Sequence, residues 1–154
     1  MRTNKSIVSI AKGKAKKERI LDRMNNLKLS VGETCMYLTA INDNIMCTSK
    51  SGNKIYWMLT SEIGAENFEL RFIEIPPRGR SSYGHHSHEH EVFVVEGEGI
   101  IKLKEGQEKL RPGLAVFVSG GEEHQWINTS HKRPLGFVCI VPRGAEAELK
   151  PPCK

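Results

Sequence analysis

No apolar run in this sequence approaches the ~18 residues that a membrane-spanning helix needs. The patch from Ile7 to Ala11 is too short to form the apolar core of a secretory signal. The expected address is cytoplasmic, with no membrane partner. Cysteine is sparse: Cys35, Cys47, Cys139 and Cys153 lack the close paired spacing of a zinc ribbon or a redox motif. In a reducing compartment all of them are expected to be free thiols. There is also no glycine loop of the phosphate-cradling kind, no dinucleotide fingerprint and no serine nucleophile motif. The 14 glycines and 7 prolines therefore read as turn residues.

What is present in excess is positive charge, and it is unevenly placed. Of the net +5, residues 1–28 carry nine basic side chains against Glu18 and Asp22, a local +7, which leaves the other 126 residues at 5 − 7 = −2. A body without net positive charge cannot supply the broad electrostatic footprint of a dedicated nucleic-acid binder, so any polyanion contact belongs to the basic arm alone. Nucleic acid is not the expected partner. Within that arm Ile20, Leu21, Met24 and Leu27 recur at helical spacing and predict one short docking helix, with Lys12 to Lys17 left in solvent.

A chain of 154 residues makes about one domain and can bury a core without help from metal or disulfide. From about residue 53 helical periodicity gives way to short β-rich runs separated by turn residues, the pattern of an all-β sandwich or barrel. The predicted strands are Lys54 to Thr60, Phe68 to Ile75, a stretch around His85 to Val95, Ile100 to Lys104, Glu108 to Arg111, Ala115 to Val118, His124 to Asn128 and Leu135 to Val141. In the second of these, Phe68, Leu70 and Phe72 alternate with Glu69 and Arg71 as one buried face requires, and Ile73 and Ile75 then face the other way. A strand covered on both sides towards its end suits a closed or double-layered sheet with a partner subunit.

The densest chemical signal is histidine. Four of the six, His85, His86, His88 and His90, fall within six consecutive residues. On an extended strand His86, His88 and His90 would project from one face while His85 and Glu91 point away. Gathered neutral imidazoles suit Zn, Fe, Ni or Cu and suit Ca or Mg poorly, because the latter prefer oxygen. One strand rarely completes a metal site, and His124, after Gly120, Gly121, Glu122 and Glu123, is the candidate further ligand. Trp126 and Asn128 share its strand parity, Phe93 and Phe117 are candidates for the hydrophobic lining, and Glu122 and Glu123 read as solvated turn residues.

These residues resemble the cupin family. Gly113, five residues, Ser119, Gly120, Gly121, two residues, His124, three residues and Asn128 reproduce its second motif, with Ser119 in the place of the proline. In the first motif Gly97 counts back six residues to His90, a histidine where a glutamate is usual. The run from Gly84 to Gly99, GHHSHEHEVFVVEGEG, is similar to a cupin subgroup in which HxHEHE precedes the apolar strand.

The resemblance implies an all-β jelly-roll barrel, the double-stranded β-helix, over residues 31–142. A basic, partly helical extension at 1–30 would precede it and a tail at 143–154 would follow. It implies a divalent transition metal (Zn, Fe, Ni or Mn) on His86, His88, His90 and His124. His85 is the alternative if the family spacing is imposed, and Glu91 if a carboxylate coordinates. It implies a small organic or sugar-derived ligand in the barrel and a homodimer formed through outer sheets. Two functions follow: a metal-dependent isomerase, dioxygenase or decarboxylase, or a non-catalytic small-molecule sensor. Fold alone does not choose between them.

Overall fold

The computed structural model describes residues 46–146 without interruption, and before them residues 9–10, 20–21, 27–31, 34–41 and 44. The chain divides into two compact units, Met1–Asn44 and Ile45–Lys154. Residues on both sides of the expected 30/31 boundary, Leu27–Val31 and Thr34–Leu38, pair with each other within the first unit. Among the described residues no helix is long and apolar enough to cross a membrane.

The first unit contains strands β1 (Ser9–Ile10), β2 (Ile20–Leu21), β3 (Leu27–Val31) and β4 (Thr34–Leu38). The short helix expected from Ile20, Leu21, Met24 and Leu27 is not what the described residues form. Ile20 pairs with Lys28 and Leu21 with Leu27 in an antiparallel ladder, while Met24 lies outside the described residues. The physical reason is length and pattern. A helix shorter than about 12 residues is marginal without strong packing, and Leu27-Lys28-Leu29-Ser30-Val31 alternates with period two, as a strand requires.

Among its described residues the second unit is all-β apart from one 3-10 turn, Ser61–Ile63. Its strands are β5 (Met46–Thr48), β6 (Lys54–Leu59), β7 (Phe68–Ile75), β8 (His90–Glu96), β9 (Gly99–Leu103), β10 (Gly106–Leu110), β11 (Ala115–Val118), β12 (His124–Asn128) and β13 (Leu135–Pro142). They form a six-stranded sheet in the order β11-β8-β13-β7-β6-β5 and a three-stranded sheet in the order β10-β9-β12. All the pairings within these two sheets are antiparallel. This is the jelly-roll arrangement that the family resemblance implies, and it agrees with the all-β pattern of short runs.

The two sheets share one core. Ile75, Val92, Val94, Val118, Phe137, Cys139 and Val141 of the large sheet and Ile101, Leu110 and Trp126 of the small one belong to one buried cluster. Trp126 and Phe137 meet with ring centroids 4.9 Å apart. Phe137 is 1% exposed, and truncating so buried an aromatic costs about 3–5 kcal/mol. Asn128 is a structural clamp: its Nδ2 donates to the carbonyls of Ile75, Pro76 and Arg133, and its Oδ1 accepts from the amide of Ser130. Gly97, at φ 78°, passes so close to the Pro134 carbonyl that a Cβ there would lie 2.1 Å from its oxygen.

Two readings of side-chain direction and one of thiol state are corrected. On β7 the inward face carries Glu69 and Arg71, which are 0% and 2% exposed, whereas Phe68 on the alternate face is 56% exposed. The inversion is stable because both inward charged groups have partners. Glu69 accepts from the amides of Ser61 and Gly144, and Arg71 pairs with Glu146. Phe93 and Phe117, expected to line the interior, are 50% and 62% exposed, because His90, Val92 and Val94 fill the inward positions of β8. Finally, Cys47 is disulfide-bonded and not a free thiol, while Cys139 is free and buried.

Candidate metal centre

The histidine-rich segment is not one continuous strand. β8 begins at His90, and residues 85–89 before it form a loop with a bend at Ser87–His88. The imidazoles converge all the same, because the bend replaces strand alternation. The rings of His86 and His88 stack with centroids 3.8 Å apart, and His86 meets His90 edge-on at 4.3 Å. Opposite them β12 starts with His124, whose ring centroid lies 5.0 Å from that of His86 and 5.4 Å from that of His90.

The backbone explains the convergence. Gly84 and His124 exchange two backbone hydrogen bonds, at 2.9 and 3.3 Å, and the amide of Gly121 donates to the His86 carbonyl at 2.7 Å. The glycine at 120 is required here: a Cβ would sit 2.3 Å from the carbonyl oxygen of Ser87. The motif glycines thus allow the loop of residues 84–88 to lie directly on the turn that leads into His124.

Hydrogen bonding selects the metal-ready tautomer at two of these rings. A carbonyl can only accept, so His86 Nδ1 donates to the His88 carbonyl and His124 Nδ1 donates to the Glu122 carbonyl, each at 2.8 Å. Their Nε2 atoms therefore carry the lone pair, as a metal-ligating imidazole needs. His90 Nε2 lies 2.5 Å from His86 Nε2. Burial pushes the pKa of His90 down to about 3, with the Arg71 cation acting in the same direction. Burial likewise lowers His86 and His124, so these imidazoles are neutral donors at neutral pH.

One contributor gave no sequence signal. Glu146 lies in what was expected to be a tail, on the turn after β13, and is 8% exposed. It reaches His88 Nε2 at 3.3 Å and His90 Nε2 at 3.8 Å, and forms a two-pronged ion pair with Arg71, one arm at 2.9 Å. Burial opposes its charge, but Arg71 overrides this and holds the carboxyl at about 2. One donor atom from each of His86, His88, His90 and Glu146 lies within 4.8 Å of every other.

Other predicted residues fall outside this constellation. His85 is exposed, on the rim of the adjoining cavity. Glu91 is on the opposite face of β8 from His90, beside Phe117 and Ile140, which excludes it as a ligand from within. Glu123 only accepts from the Tyr83 hydroxyl at 3.4 Å. Behind the cluster Cys139 Sγ lies 3.2 Å from His90 Nδ1 and 3.5 Å from Arg71 Nη2. In front of it opens a cavity of about 710 Å³ bordered by His86, His90, His124, Trp126 and Arg71.

The donor set fits a divalent transition metal: several imidazoles, two of them with the Nε2 lone pair left by hydrogen bonding at Nδ1, and one carboxylate. Comparison with known proteins agrees with this frame. Residues 71–141 match the Cupin domain family. The chain is 32% identical over 73 residues to a 1-methylthio-D-xylulose 5-phosphate methylsulfurylase of Rhodospirillum rubrum, which is 47% of this chain and 46% of that one. It therefore spans just under half the length of that curated relative. Among solved structures, a polyketide cyclase from Streptomyces resistomycificus superposes with a TM-score of 0.65 at 24% identity, over 70% of this chain and 79% of that one. A cupin 2 domain-containing protein from Halorhodospira halophila gives 0.55 at 33% identity, over 57% and 62%.

Proposed function

We propose, on the premise that this chain is a cupin-family protein, that it holds a divalent transition metal on His86, His88, His90 and His124 and acts as a small metal-dependent enzyme. Glu146 stands beside these four as a further oxygen donor. The observation that carries the reading is the meeting of imidazoles from two separate stretches of chain at the wall of a cavity large enough for a small molecule. A bound Zn, Fe, Ni or Mn ion would supply Lewis-acid chemistry or, for iron, oxygen chemistry. The chain itself presents Nε2 lone pairs, excludes bulk water with Trp126 and Phe137, and keeps Arg71 neutralised by Glu146.

The reaction classes that suit such a centre are isomerisation, dioxygenation and decarboxylation of a small organic or sugar-derived molecule. The test is elemental analysis of the purified protein, then turnover and oxygen-uptake assays with keto acids, phenols, thiols and sugar derivatives. Metal at about one ion per chain with turnover supports the enzyme. Metal and saturable binding without turnover supports the second reading, a small-molecule sensor. Absence of metal overturns both.

The same premise supports a homodimer. Phe93, Val95, Phe117 and Phe68 are 50%, 47%, 62% and 56% exposed on strands of the large sheet, apolar side chains that a second copy would cover. Light scattering should give twice the chain mass, and a monomeric mass for the wild type would refute it. A cytoplasmic location remains part of the proposal.

A further inference from the structure

The cavity beside the imidazoles has two unlike ends. Deep inside lie His86, His90 and His124 with the Arg71–Glu146 pair. At the rim the hairpin between β5 and β6 brings Thr48, Ser49, Lys50 and Ser51, and Ser81 and Ser82 also border the opening. Between the two runs an apolar wall of Ile55, Ile73, Ile75 and Trp126.

Two observations specify what would bind there. The first is charge. The only carboxylate among the described residues lining the cavity is Glu146, and it is committed to Arg71. Lys50, exposed at the rim, pairs with no carboxylate among the described residues, so the cavity carries an uncompensated positive charge at its mouth. The hairpin holds this lysine in place: the Ser49 amide donates to the Asn53 carbonyl at 2.8 Å, and the Asn53 amide donates to Ser49 Oγ at 3.1 Å. The second observation is a stranded acceptor. Asn53, 5% exposed, donates through Nδ2 to the Arg80 carbonyl at 3.2 Å, which assigns the amide orientation and leaves Oδ1 buried without a partner. Arg71 Nε is a buried donor in the same condition. A buried polar atom with no partner is costly, and both residues border the cavity, so a ligand that brings a hydroxyl donor and an acceptor oxygen would relieve that cost.

We propose that the cavity binds a small polyhydroxylated anion, with its acid group, phosphate or carboxylate, at the Lys50 hairpin, a hydroxyl donating to Asn53 Oδ1, and its other end at the imidazoles. This rests on the cavity being the working site, as above, and adds the class of molecule that occupies it. It also assigns Lys50 and Asn53 as specificity residues.

The test uses the full chain as purified, with metal content measured on every sample. Calorimetric titration compares ribose 5-phosphate and gluconate with ribose, which lacks the acid, and hexanoate, which lacks the hydroxyls. One of the hydroxylated anions should bind at least about tenfold tighter than ribose and than hexanoate, and which of the two does so identifies the acid group. Lys50→Met, at an exposed position that cannot unfold the barrel, should weaken it about three- to fivefold with unchanged metal content. Asn53→Leu should erase most of the preference for gluconate over hexanoate, about fivefold. Ribose binding as well as the anions, affinity indifferent to Lys50→Met, or no binding across the panel would each overturn the proposal. A metal-free protein that still binds in a Lys50-dependent way would keep it and instead sink the metal reading.

Discussion

Replacing Glu146 by Gln removes one charge from a buried pair and leaves the other in place. Arg71 is 2% exposed and would keep its full charge, because no other carboxylate lines the cavity among the described residues. Breaking a buried ion pair on one side costs about 3–5 kcal/mol. The substituted side-chain amide retains an acceptor for one guanidinium N–H, so the lower end of that range, about 3 kcal/mol, is expected. Against a total stability of about 5–15 kcal/mol this is a large fraction. With a urea slope of about 2 kcal/mol/M the midpoint should fall by roughly 1–2 M. The double variant Arg71→Met with Glu146→Leu removes both charges together and should recover most of that loss. It will recover less than all of it, because the guanidinium also lies 5.6 Å above the Trp57 ring. The assay is equilibrium urea denaturation of metal-free wild type, both singles and the double. A loss below about 1 kcal/mol for Glu146→Gln, or a double variant as unstable as the sum of its singles, would refute the claim that the turn after β13 is locked into the barrel by this pair.

His124→Ala should abolish metal retention through purification while far-ultraviolet dichroism stays that of the wild type; unchanged metal content would remove His124 from the donor set. Gly120→Ala deletes no ligand, but its Cβ would collide with the Ser87 carbonyl. Displacing the His86–His88 loop in this way should lower metal affinity about 10- to 100-fold in a chelator competition, and wild-type affinity would show that the loop has room to yield. In metal-free protein His90 stays neutral down to about pH 3, while in the unfolded chain it takes a proton near its ordinary 6.5. The unfolded state therefore binds more protons between those values, and stability present above pH 6.5 is lost as pH falls, with a slope of up to about 1.4 kcal/mol per pH unit. The depressed carboxyl of Glu146 adds to the loss between its ordinary 4.5 and about 2. A urea midpoint that stays flat from about pH 7 to 5 would contradict the burial of these imidazoles.

Strand positions were legible because period-two alternation and glycine or proline breaks are local signals. Ala115–Val118 and His124–Asn128 were readable to the residue. The histidines were legible by density. What escaped detection depends on groups distant in sequence. On β7 the alternation of Phe68, Leu70 and Phe72 points to one buried face, yet only Phe72 of the three is buried. Arg71 turns inward only because Glu146, 75 positions later, is there to meet it. Glu146 itself sits in a polar segment with nothing to distinguish it from a solvated tail. The apparent helix at Ile20 to Leu27 shows the opposite error, in which a few apolar residues satisfied a period-3.6 template while the adjacent Leu27–Val31 run had partners to pair with.

The paired backbones of Gly84 and His124, with the Gly121 amide on the His86 carbonyl, mean that the donor rings are preorganised by the polypeptide itself. In a zinc finger, by contrast, the ion must gather its ligands from an unfolded chain, and stripping it dissolves the structure. On the proposed metal reading, a cation would meet rings whose backbone is already held by these hydrogen bonds, instead of having to gather them. Emptying and refilling should therefore be reversible on the intact barrel, and whichever suitable ion is most abundant nearby will settle there.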